Sequence, residues 1–384
     1  MKYMYYLETT LISVLIMLSL ASCGGGGSGS DDEGVPPPDD NGNVNGGFAG
    51  RLFVIDGWVI DIPSGRSKRA PGVAWDRWCS TFYDDSELKC TDATDYDFDV
   101  ESDFLGFPSI DGEEYVVTVD DCNGRSLDCF MSHNLSTGDV TSYRGEITYG
   151  LSDAKLSRDR NYFAYIYNKE SNGAYANTEF HIVNRDFEIV SSTSMPDHYG
   201  IGFDWSINGQ IVYGYKRGIY LTSPYSTQGD RILSLVDYPE FNNLDLGGPF
   251  RVSPDGTKVA FKLVEEDNRF SYKVATPWVM NIDGSDLHRL AHVPDEDSVF
   301  QLFGSIAWSP DGKYIMLTEG YSPQATSIDT GVQGDLYIIP SDSRDIEIND
   351  DGEGGVVRLK TNYKNESKNL RYEFNGRAIW WIPQ

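Results

Sequence analysis

The amino-acid sequence predicts an all-β fold built from a repeated unit of about 50 residues. Three observations lead to this prediction. A short turn motif recurs along the chain, an apolar or aromatic run typical of a β-strand follows each copy, and turn-rich segments separate the strands. Repeats of this length that carry several short strands are typical of propellers and solenoids.

The turn motif has Asp or Asn at its third position in all six copies, Ser at its first in five, and Gly at its fourth in five. Its two clearest copies are Ser253-Pro254-Asp255-Gly256 and Ser309-Pro310-Asp311-Gly312. Glycine accepts the positive φ that a tight turn needs, and we expect the Asp or Asn to cap the turn through side-chain-to-backbone hydrogen bonds. The six copies begin at Ser109, Ser157, Ser206, Ser253, Ser309 and Glu373. The residues assigned to this structural role are Asp111, Gly112, Asp159, Asn208, Gly209, Asp255, Gly256, Asp311, Gly312, Asn375 and Gly376.

The stretch from Val252 to Leu290 contains SPDGTKVAFK followed by WVMNIDGSDLHRL. It resembles the repeat of the TolB-like (PD40, WD40-like) β-propeller family. With six copies, the resemblance implies a six-bladed β-propeller of four-stranded antiparallel blades over residues 48–384. Seven blades is the alternative, because residues 66–105 are long enough to hide part of a further blade.

The last repeat ends at Gln384, directly after its first predicted hairpin. Two strand-like segments near the other end of the chain, Arg51–Ile55 and Trp58–Ile62, can supply its missing strands. We therefore predict that the last blade combines N- and C-terminal strands. Such closure removes an exposed sheet edge, which is a template for aggregation.

The N-terminal segment predicts export and lipid attachment. Residues 1–22 contain a lysine, an apolar run from Leu11 to Leu20 and two small residues, as in a signal peptide. The segment Leu20-Ala21-Ser22-Cys23 resembles the lipobox of bacterial lipoproteins, which implies cleavage before Cys23 and acylation of this residue. A plain signal peptide is the alternative. Two or more acyl chains anchor a protein stably to a membrane.

Residues 23–47 hold the predicted anchor and a tether rich in Gly, Ser, Pro and acidic residues. Such a composition cannot build a hydrophobic core, so we predict a disordered linker. Gly24 follows the cysteine, and the absence of Asp at this position favours the outer membrane, on its periplasmic face or the cell surface.

The formal net charge of −28 argues against nucleic acid as a partner, because nucleic acids bind basic surfaces. Four cysteines follow Cys23, and an even number in an exported protein predicts disulfide bonds. The preferred pairs are Cys79–Cys90 and Cys122–Cys129, because both close short loops; three pairings are open.

No catalytic motif is recognised. The Gly-x-Ser-x-Gly elbow, the P-loop and the HExxH pattern are absent. We interpret His288 and His292 as surface residues. The chain is predicted to need no cofactor, although the acidic stretch TDATDYDFDVESD gives weak calcium candidates at Asp95, Asp97 and Asp99.

The sequence therefore predicts a lipid-anchored protein of the bacterial cell envelope that works as a non-catalytic binding scaffold. The TolB-like family implies an envelope protein as its partner. The alternative is a glycan-binding protein, or a glycan hydrolase or lyase, on the same scaffold. A glycosidase would need two carboxylates at one cleft, and the sequence singles out no such pair.

Overall fold

In the computed structural model of the chain, all described residues belong to one compact unit, Pro37–Gln384. The described residues are 48–54, 58–62, 64–65, 67–69, 77–80, 89–92, 106–119, 127–134, 137, 140–148, 151–171, 174–195, 202–267, 272–292, 302–320, 336–348, 353–359 and 379–384. The predicted signal peptide, Cys23 and the tether lie outside them.

The secondary structure of the described residues consists of β-strands and short 3₁₀ helices. In chain order the strands are β1 (Gly50–Val54), β2 (Trp58–Ile62), β3 (Ser67–Arg69), β4 (Arg77–Ser80), β5 (Lys89–Asp92), β6 (Gly106–Pro108), β7 (Glu114–Val119), β8 (Leu127–Asn134), β9 (Val140–Thr148), β10 (Leu151–Leu156), β11 (Tyr162–Ser171), β12 (Ala174–Asn184), β13 (Ile189–Met195), β14 (Phe203–Trp205), β15 (Ile211–Tyr215), β16 (Gly218–Thr222), β17 (Gly229–Ser234), β18 (Leu244–Val252), β19 (Lys258–Asp267), β20 (Tyr272–Asn281), β21 (His288–Arg289), β22 (Ala291–His292), β23 (Leu302–Trp308), β24 (Tyr314–Gly320), β25 (Leu336–Pro340), β26 (Ile346–Glu347), β27 (Val357–Leu359) and β28 (Ile379–Ile382). The 3₁₀ helices are Leu235–Asp237, Pro239–Phe241 and Glu353–Gly355.

Most strands form antiparallel four-stranded sheets, which we number in chain order. Sheet I is β6 to β9, sheet II is β10 to β13, and sheet III is β14 to β17. Sheet IV contains β18 to β21, and sheet V contains β23, β24, β25 and β27. Sheets IV and V are joined by one parallel bridge, between Ala275 and Leu302. Sheet VI has the order β28-β1-β2-β3.

The first strands of these sheets contact one another in a cycle. β6 contacts β10, β10 contacts β14, β14 contacts β18, β18 contacts β23, β23 contacts β28, and β28 contacts β6. Four-stranded antiparallel sheets arranged around their first strands are the architecture of a β-propeller. The chain thus folds as a β-propeller, which confirms the fold class predicted from the repeat.

Sheet VI confirms that the N- and C-terminal strands share one sheet. β28 pairs with β1 in antiparallel register, with Arg51 opposite Ile382 and Val54 opposite Ile379. Two side-chain hydrogen bonds add to this seam, by which we mean the pairing of β28 with β1. Arg51 Nε donates to the carbonyl of Pro383 at 3.0 Å, and Trp381 Nε1 donates to the carbonyl of Ala49 at 3.1 Å.

The hydrophobic core is divided among the spaces between neighbouring sheets. Val212 of sheet III packs in one cluster with Phe250 and Phe261 of sheet IV. Leu52 of sheet VI likewise packs in one cluster with Met316 of sheet V. Because burial of these large apolar side chains requires two neighbouring sheets, hydrophobic burial stabilises the ring arrangement rather than any sheet alone.

The turn after the first strand of sheets I, II, IV and V has one hydrogen-bond pattern. In sheet IV, Ser253 Oγ donates to Asp255 Oδ1 at 2.6 Å and accepts from the backbone N–H of Lys258 at 2.9 Å. The same carboxylate accepts from the backbone N–H of Thr257 at 3.0 Å. Corresponding bonds in the other three sheets involve Asp111, Asp159 and Asp311. These four aspartates thus have the turn-capping role predicted for them.

In sheet III the turn carries Asn208 and is held by backbone bonds, from Ser206 N to Gln210 O at 2.7 Å and from Tyr225 N to Gly209 O at 2.7 Å. The predicted glycines Gly112, Gly209, Gly256 and Gly312 all have a positive φ, between 70° and 74°. The backbone of these turns therefore explains why glycine stands at the fourth position.

The structure corrects the sixth copy of the motif. The strands that follow the other five turns are second in their sheets, whereas β28, which follows Glu373–Gly376, is the first strand of sheet VI. The sequence RAIWWIP therefore matches a first strand and not a second one. Asn375 and Gly376 lie outside the described residues.

The hairpin β4–β5 lies between β3 and β6 in the chain and belongs to none of the numbered sheets. It falls within residues 66–105, the stretch in which a seventh blade could lie. The cycle of first strands favours six blades, and the blade count stays a prediction. Across the described residues, no helix has both the length and the apolar character that a membrane crossing requires.

Candidate functional site

A cavity of about 140 Å³ lies where the first strands end at their turns. Residues from all of the numbered sheets line it, so the cavity marks one mouth of the central channel. Its rim is formed by residues in or next to the turns, and a deeper ring by residues on the strands. The rim contains Pro108, Ile110, Arg158, Pro254, Pro310 and Pro383, and the deeper ring contains Lys155, Asp204, Arg251, Ala307 and Trp380.

The deeper ring follows from the alternation of side chains along a strand. Lys155, Asp204, Arg251 and Ala307 each stand two residues before the serine of a turn. The residue that follows each of them points to the opposite face of the strand. In two of these strands it is a tryptophan that donates a hydrogen bond to the neighbouring sheet. Trp205 Nε1 donates to the carbonyl of Lys155 at 3.1 Å, and Trp308 Nε1 donates to the carbonyl of Arg251 at 2.9 Å.

Arg158 crosses the rim from sheet II to sheets III and IV. Its Nε donates to the carbonyl of Trp205 at 3.0 Å, and one terminal nitrogen donates to the carbonyl of Pro254 at 2.8 Å. The other donates to the carbonyls of Val252 and Ser253 at 3.0 and 2.9 Å. Burial lowers the pKa of Arg158, whereas the charges of Asp204 and Asp255 oppose this shift. All three guanidinium nitrogens are therefore occupied by structural hydrogen bonds.

Next to Arg158 in the cavity lining, the buried Lys155 pairs with the partly buried Asp204. Lys155 Nζ lies 3.8 Å from Asp204 Oδ1 and donates to the carbonyl of Phe203. The other carboxylate oxygen of Asp204 accepts from the backbone N–H of Val252 at 2.7 Å. Asp204, the one acidic side chain among the described residues that line the cavity, is thus already bound by sheets II and IV.

Arg251 lies on another side of the cavity, facing sheet VI. It is 6% exposed, and its guanidinium carbon stands 5.1 Å from the ring centroid of Trp380. One terminal nitrogen donates to the carbonyl of Phe250 at 3.2 Å. Ala307 lies on sheet V, between the sheets of Arg251 and Trp380, and also lines the cavity. Cation–π contact with tryptophan stabilises a guanidinium.

The charge of Arg251 acts on a further cation, Lys262 of β19. Burial, and after it the positive charge of Arg251, lower the pKa of Lys262 to about 8. Among the described side chains that line the cavity, Lys155, Arg158 and Arg251 are cationic and Asp204 is anionic. The mouth is therefore cationic in a chain whose formal net charge is −28.

The sequence did not single out Arg251 or Trp380. The signal that could have revealed Arg251 is its place two residues before the serine of a repeat, since that position faces the channel. Trp380 carried no such signal, because its strand was matched to a second strand of the repeat.

The predicted disulfide and metal residues fall largely outside the described residues. β4 pairs with β5 so that Cys79 is directly opposite Cys90. Opposite residues in antiparallel strands stand about 4.5–5.5 Å apart, within the range that a disulfide spans. The bond stays a prediction. Cys129 lies on β8 opposite Val119, and Cys122, Asp95, Asp97 and Asp99 lie outside the described residues.

His288 and His292 lie on β21 and β22 at the outer side of sheets IV and V. His292 Nδ1 lies 2.9 Å from Asp345 Oδ1, and Arg289 binds the same carboxylate. His288 Nδ1 lies 2.7 Å from the carbonyl of Asp286. Within the part of the chain that the structure describes, no group of three or more His, Cys, Asp or Glu side chains is placed to hold a metal ion.

The fold and the cavity together define a β-propeller with a small cavity of about 140 Å³ at one channel mouth. No protein-family model matches the chain. No curated protein sequence matches it either.

Solved structures with a similar fold include TolB from Acinetobacter baumannii, at 14% identity and a TM-score of 0.48, over 88% of this chain and 66% of that chain. A putative TolB from Agrobacterium tumefaciens is similar at 14% identity and a TM-score of 0.46, over 81% of this chain and 88% of that one. Puromycin hydrolase is similar at 10% identity and a TM-score of 0.42, over 62% of this chain and 35% of that one.

Proposed function

We propose that the protein is a lipoprotein of the bacterial cell envelope, anchored through Cys23, and that its propeller binds a protein partner at the cavity without catalysing a reaction. The signal peptide, the lipobox-like segment and the tether support the anchor and the envelope location. The resemblance of the repeat to TolB-like propellers supports a protein as the partner.

The observation that carries the binding role is the composition of the cavity. Its described lining is largely apolar and aromatic, and its one carboxylate, Asp204, already binds Lys155 and a backbone N–H. A glycosidase uses two carboxylates across its substrate. A concave site with a few polar groups on an apolar lining is typical of ligand binding.

A site-specific photo-crosslinker tests the partner. Ile110 on the rim is 41% exposed, and Val236 on a remote 3₁₀ helix is 66% exposed, which makes it a matched control. Each is replaced in turn by a photoreactive phenylalanine analogue in cells, and the lipidated protein is purified from membranes. We expect one protein to crosslink at position 110 and not at position 236. Equal crosslinking at both positions, or none, contradicts binding at the mouth.

Metabolic labelling with an alkyne fatty acid tests the anchor. We expect the wild-type protein to incorporate the label and to sediment with membranes, and Cys23→Ala to do neither. Labelling of Cys23→Ala, or an unlabelled soluble wild-type protein, contradicts the lipoprotein assignment.

Glycan binding is the second candidate, because the ring of Trp380 lines the cavity and aromatic rings stack on sugars. Recovery of peptidoglycan or polysaccharide fragments with the purified wild-type protein, in place of a crosslinked protein, would support this candidate. Hydrolysis or elimination of those fragments by the protein would overturn the non-catalytic assignment.

A further inference from the structure

The turn of sheet III lacks hydrogen bonds that its counterparts share. In sheets I, II, IV and V, the backbone N–H at the fourth position of the turn donates to the carbonyl of the turn serine at 2.9 Å. Gly209 holds this position in sheet III, and among the residues that the structure describes its N–H has no hydrogen-bond partner. The backbone nitrogen of Gly209 is therefore available to react.

The side chain that precedes this nitrogen is also unbound. Asn208 is exposed and makes none of the capping bonds that Asp255 makes in sheet IV. The N–H of Ile211, which corresponds to the N–H that Ser253 accepts in sheet IV, donates instead to Thr222 Oγ1 at 2.8 Å. Within the described part of the chain, no hydrogen bond thus holds the Asn208 amide away from the neighbouring nitrogen.

An asparagine side chain can react with the backbone nitrogen of the residue that follows it. The nitrogen attacks Cγ and loses its proton, the bond from Cγ to the side-chain nitrogen breaks, and ammonia leaves, so a succinimide ring forms. Water then opens the ring and yields aspartate or isoaspartate. Glycine favours the closure because it has no side chain to obstruct the ring, and both reacting groups belong to one chain.

We propose that Asn208 is a site of spontaneous deamidation, and that the aspartate formed there caps its turn as Asp255 caps the turn of sheet IV. The product restores the residue type that stands at this position in the four capped turns. Ser206, which is 3% exposed, supplies the hydroxyl that Ser253 supplies in sheet IV. The reaction also adds one negative charge to the face of the ring that carries the channel mouth.

The capped turns are protected from the corresponding reaction of aspartate. Ring closure at an aspartate requires a protonated carboxyl group, because the oxygen has to leave as water. Burial opposes ionisation of Asp255, but hydrogen bonds from Ser253 and Thr257 outweigh this effect and hold the pKa of the carboxyl group below its usual range. The N–H of Gly256 is in turn bound to the carbonyl of Ser253. The structure therefore selects the turn of sheet III.

Peptide mass spectrometry on the purified full-length protein in detergent tests the site. The folded protein is incubated at neutral pH and body temperature in water enriched in oxygen-18, and is then digested in ordinary water. Opening of the succinimide introduces one labelled oxygen, so the label marks deamidation that took place in the folded protein. We expect the label to accumulate at position 208. A protein that stays unlabelled there overturns the proposal.

A variant with the same dipeptide in a capped turn is the matched control. Asp255→Asn places asparagine before Gly256, whose N–H is bound to the carbonyl of Ser253. We expect labelling at position 255 to be at least about fivefold slower than at position 208, because a hydrogen bond must break before the attack. Asp311→Asn makes the same change in sheet V and replaces the first variant if that variant does not fold. Equal rates would overturn the selection of Asn208 by its turn.

The capping role of the product has its own test. Asn208→Asp should raise the Tm by about 2 °C, because the turn gains hydrogen bonds to a carboxylate. Asn243→Asp makes the same chemical change at an exposed residue outside the repeated turns and should leave the Tm as in the wild type. A Tm of Asn208→Asp that is unchanged or lower overturns the capping role, whereas the labelling experiment decides the reaction site independently.

Discussion

Two arginines that line the same channel mouth, Arg158 and Arg251, make different contacts. Arg158 belongs to a turn and donates all its described hydrogen bonds to carbonyls of two neighbouring sheets, so it closes its side of the rim. Arg251 belongs to a strand, lies deeper and stacks on a tryptophan from the far end of the chain. The comparison teaches that two arginines of one cavity can join its sheets by different contacts, hydrogen bonds to carbonyls in one case and cation–π stacking in the other.

The largest expected effect comes from removing each arginine. Arg158→Met should lower the free energy of unfolding by about 3 kcal/mol, because several buried carbonyls lose their donors. Arg251→Met should lower it by less, about 1 kcal/mol, because methionine keeps an apolar contact with Trp380 in place of the cation–π stacking. Denaturant titration measures both variants. Similar losses would mean that Arg251 is also structural.

The next effect concerns the carboxylate of Asp204, which pairs with Lys155. Asp204→Asn removes the negative charge beside Lys155 and should destabilise the fold by about 1–3 kcal/mol, because a buried cation loses its partner. Asp230→Asn, at an exposed residue of β17, should change stability by less than about 0.5 kcal/mol. The two unfolding curves give the comparison directly, and coincident curves would contradict a stabilising Lys155–Asp204 pair.

A smaller effect separates two turns of the rim. Gly256 and Gly312 have φ values of 74° and 72°, so alanine should cost about 1 kcal/mol at either position. At Gly256 a Cβ atom would also stand 2.7 Å from Ile207 Cγ1, whereas at Gly312 its nearest neighbour is Pro254 Cδ at 3.7 Å. Gly256→Ala should therefore be less stable than Gly312→Ala by roughly 1 kcal/mol in thermal unfolding. The reverse order would contradict the tighter packing between sheets III and IV.

Much of the fold could be predicted from the sequence, because its signals are local. Ser253-Pro254-Asp255-Gly256 and its counterparts encode turn geometry in four adjacent residues, and the apolar runs after them encode strands. The union of N- and C-terminal strands followed from an incomplete last repeat. The sixth copy was placed wrongly because RAIWWIP suits either strand of a hairpin, and pairing with β1 decides which one it becomes.

The site could not be predicted in the same way. Arg251 and Trp380 are far apart in the chain and meet because the ring brings β18 and β28 around one cavity. Neither the hydrogen bonds of Arg158 to two neighbouring sheets nor the pairing of Asp204 with Lys155 leaves a short motif. The abundance of acids drew attention to Asp95, Asp97 and Asp99, whereas the cavity that the structure describes is lined mainly by cations and apolar groups.

The cavity is complete only while the N- and C-terminal strands of sheet VI are paired, because Trp380 of β28 lines it. Arg51 and Pro383, which the seam joins, are 332 positions apart, and the entropy of closing so long a loop opposes their union. Trp380 lies on β28, so opening the seam carries the tryptophan away from Arg251. A partner that binds at the mouth and contacts Trp380 would bind the closed ring in preference to the open one and shift the equilibrium toward closure. Occupancy of the mouth would then protect this four-residue strand against detachment and proteolysis, although no new contact is made at the seam itself.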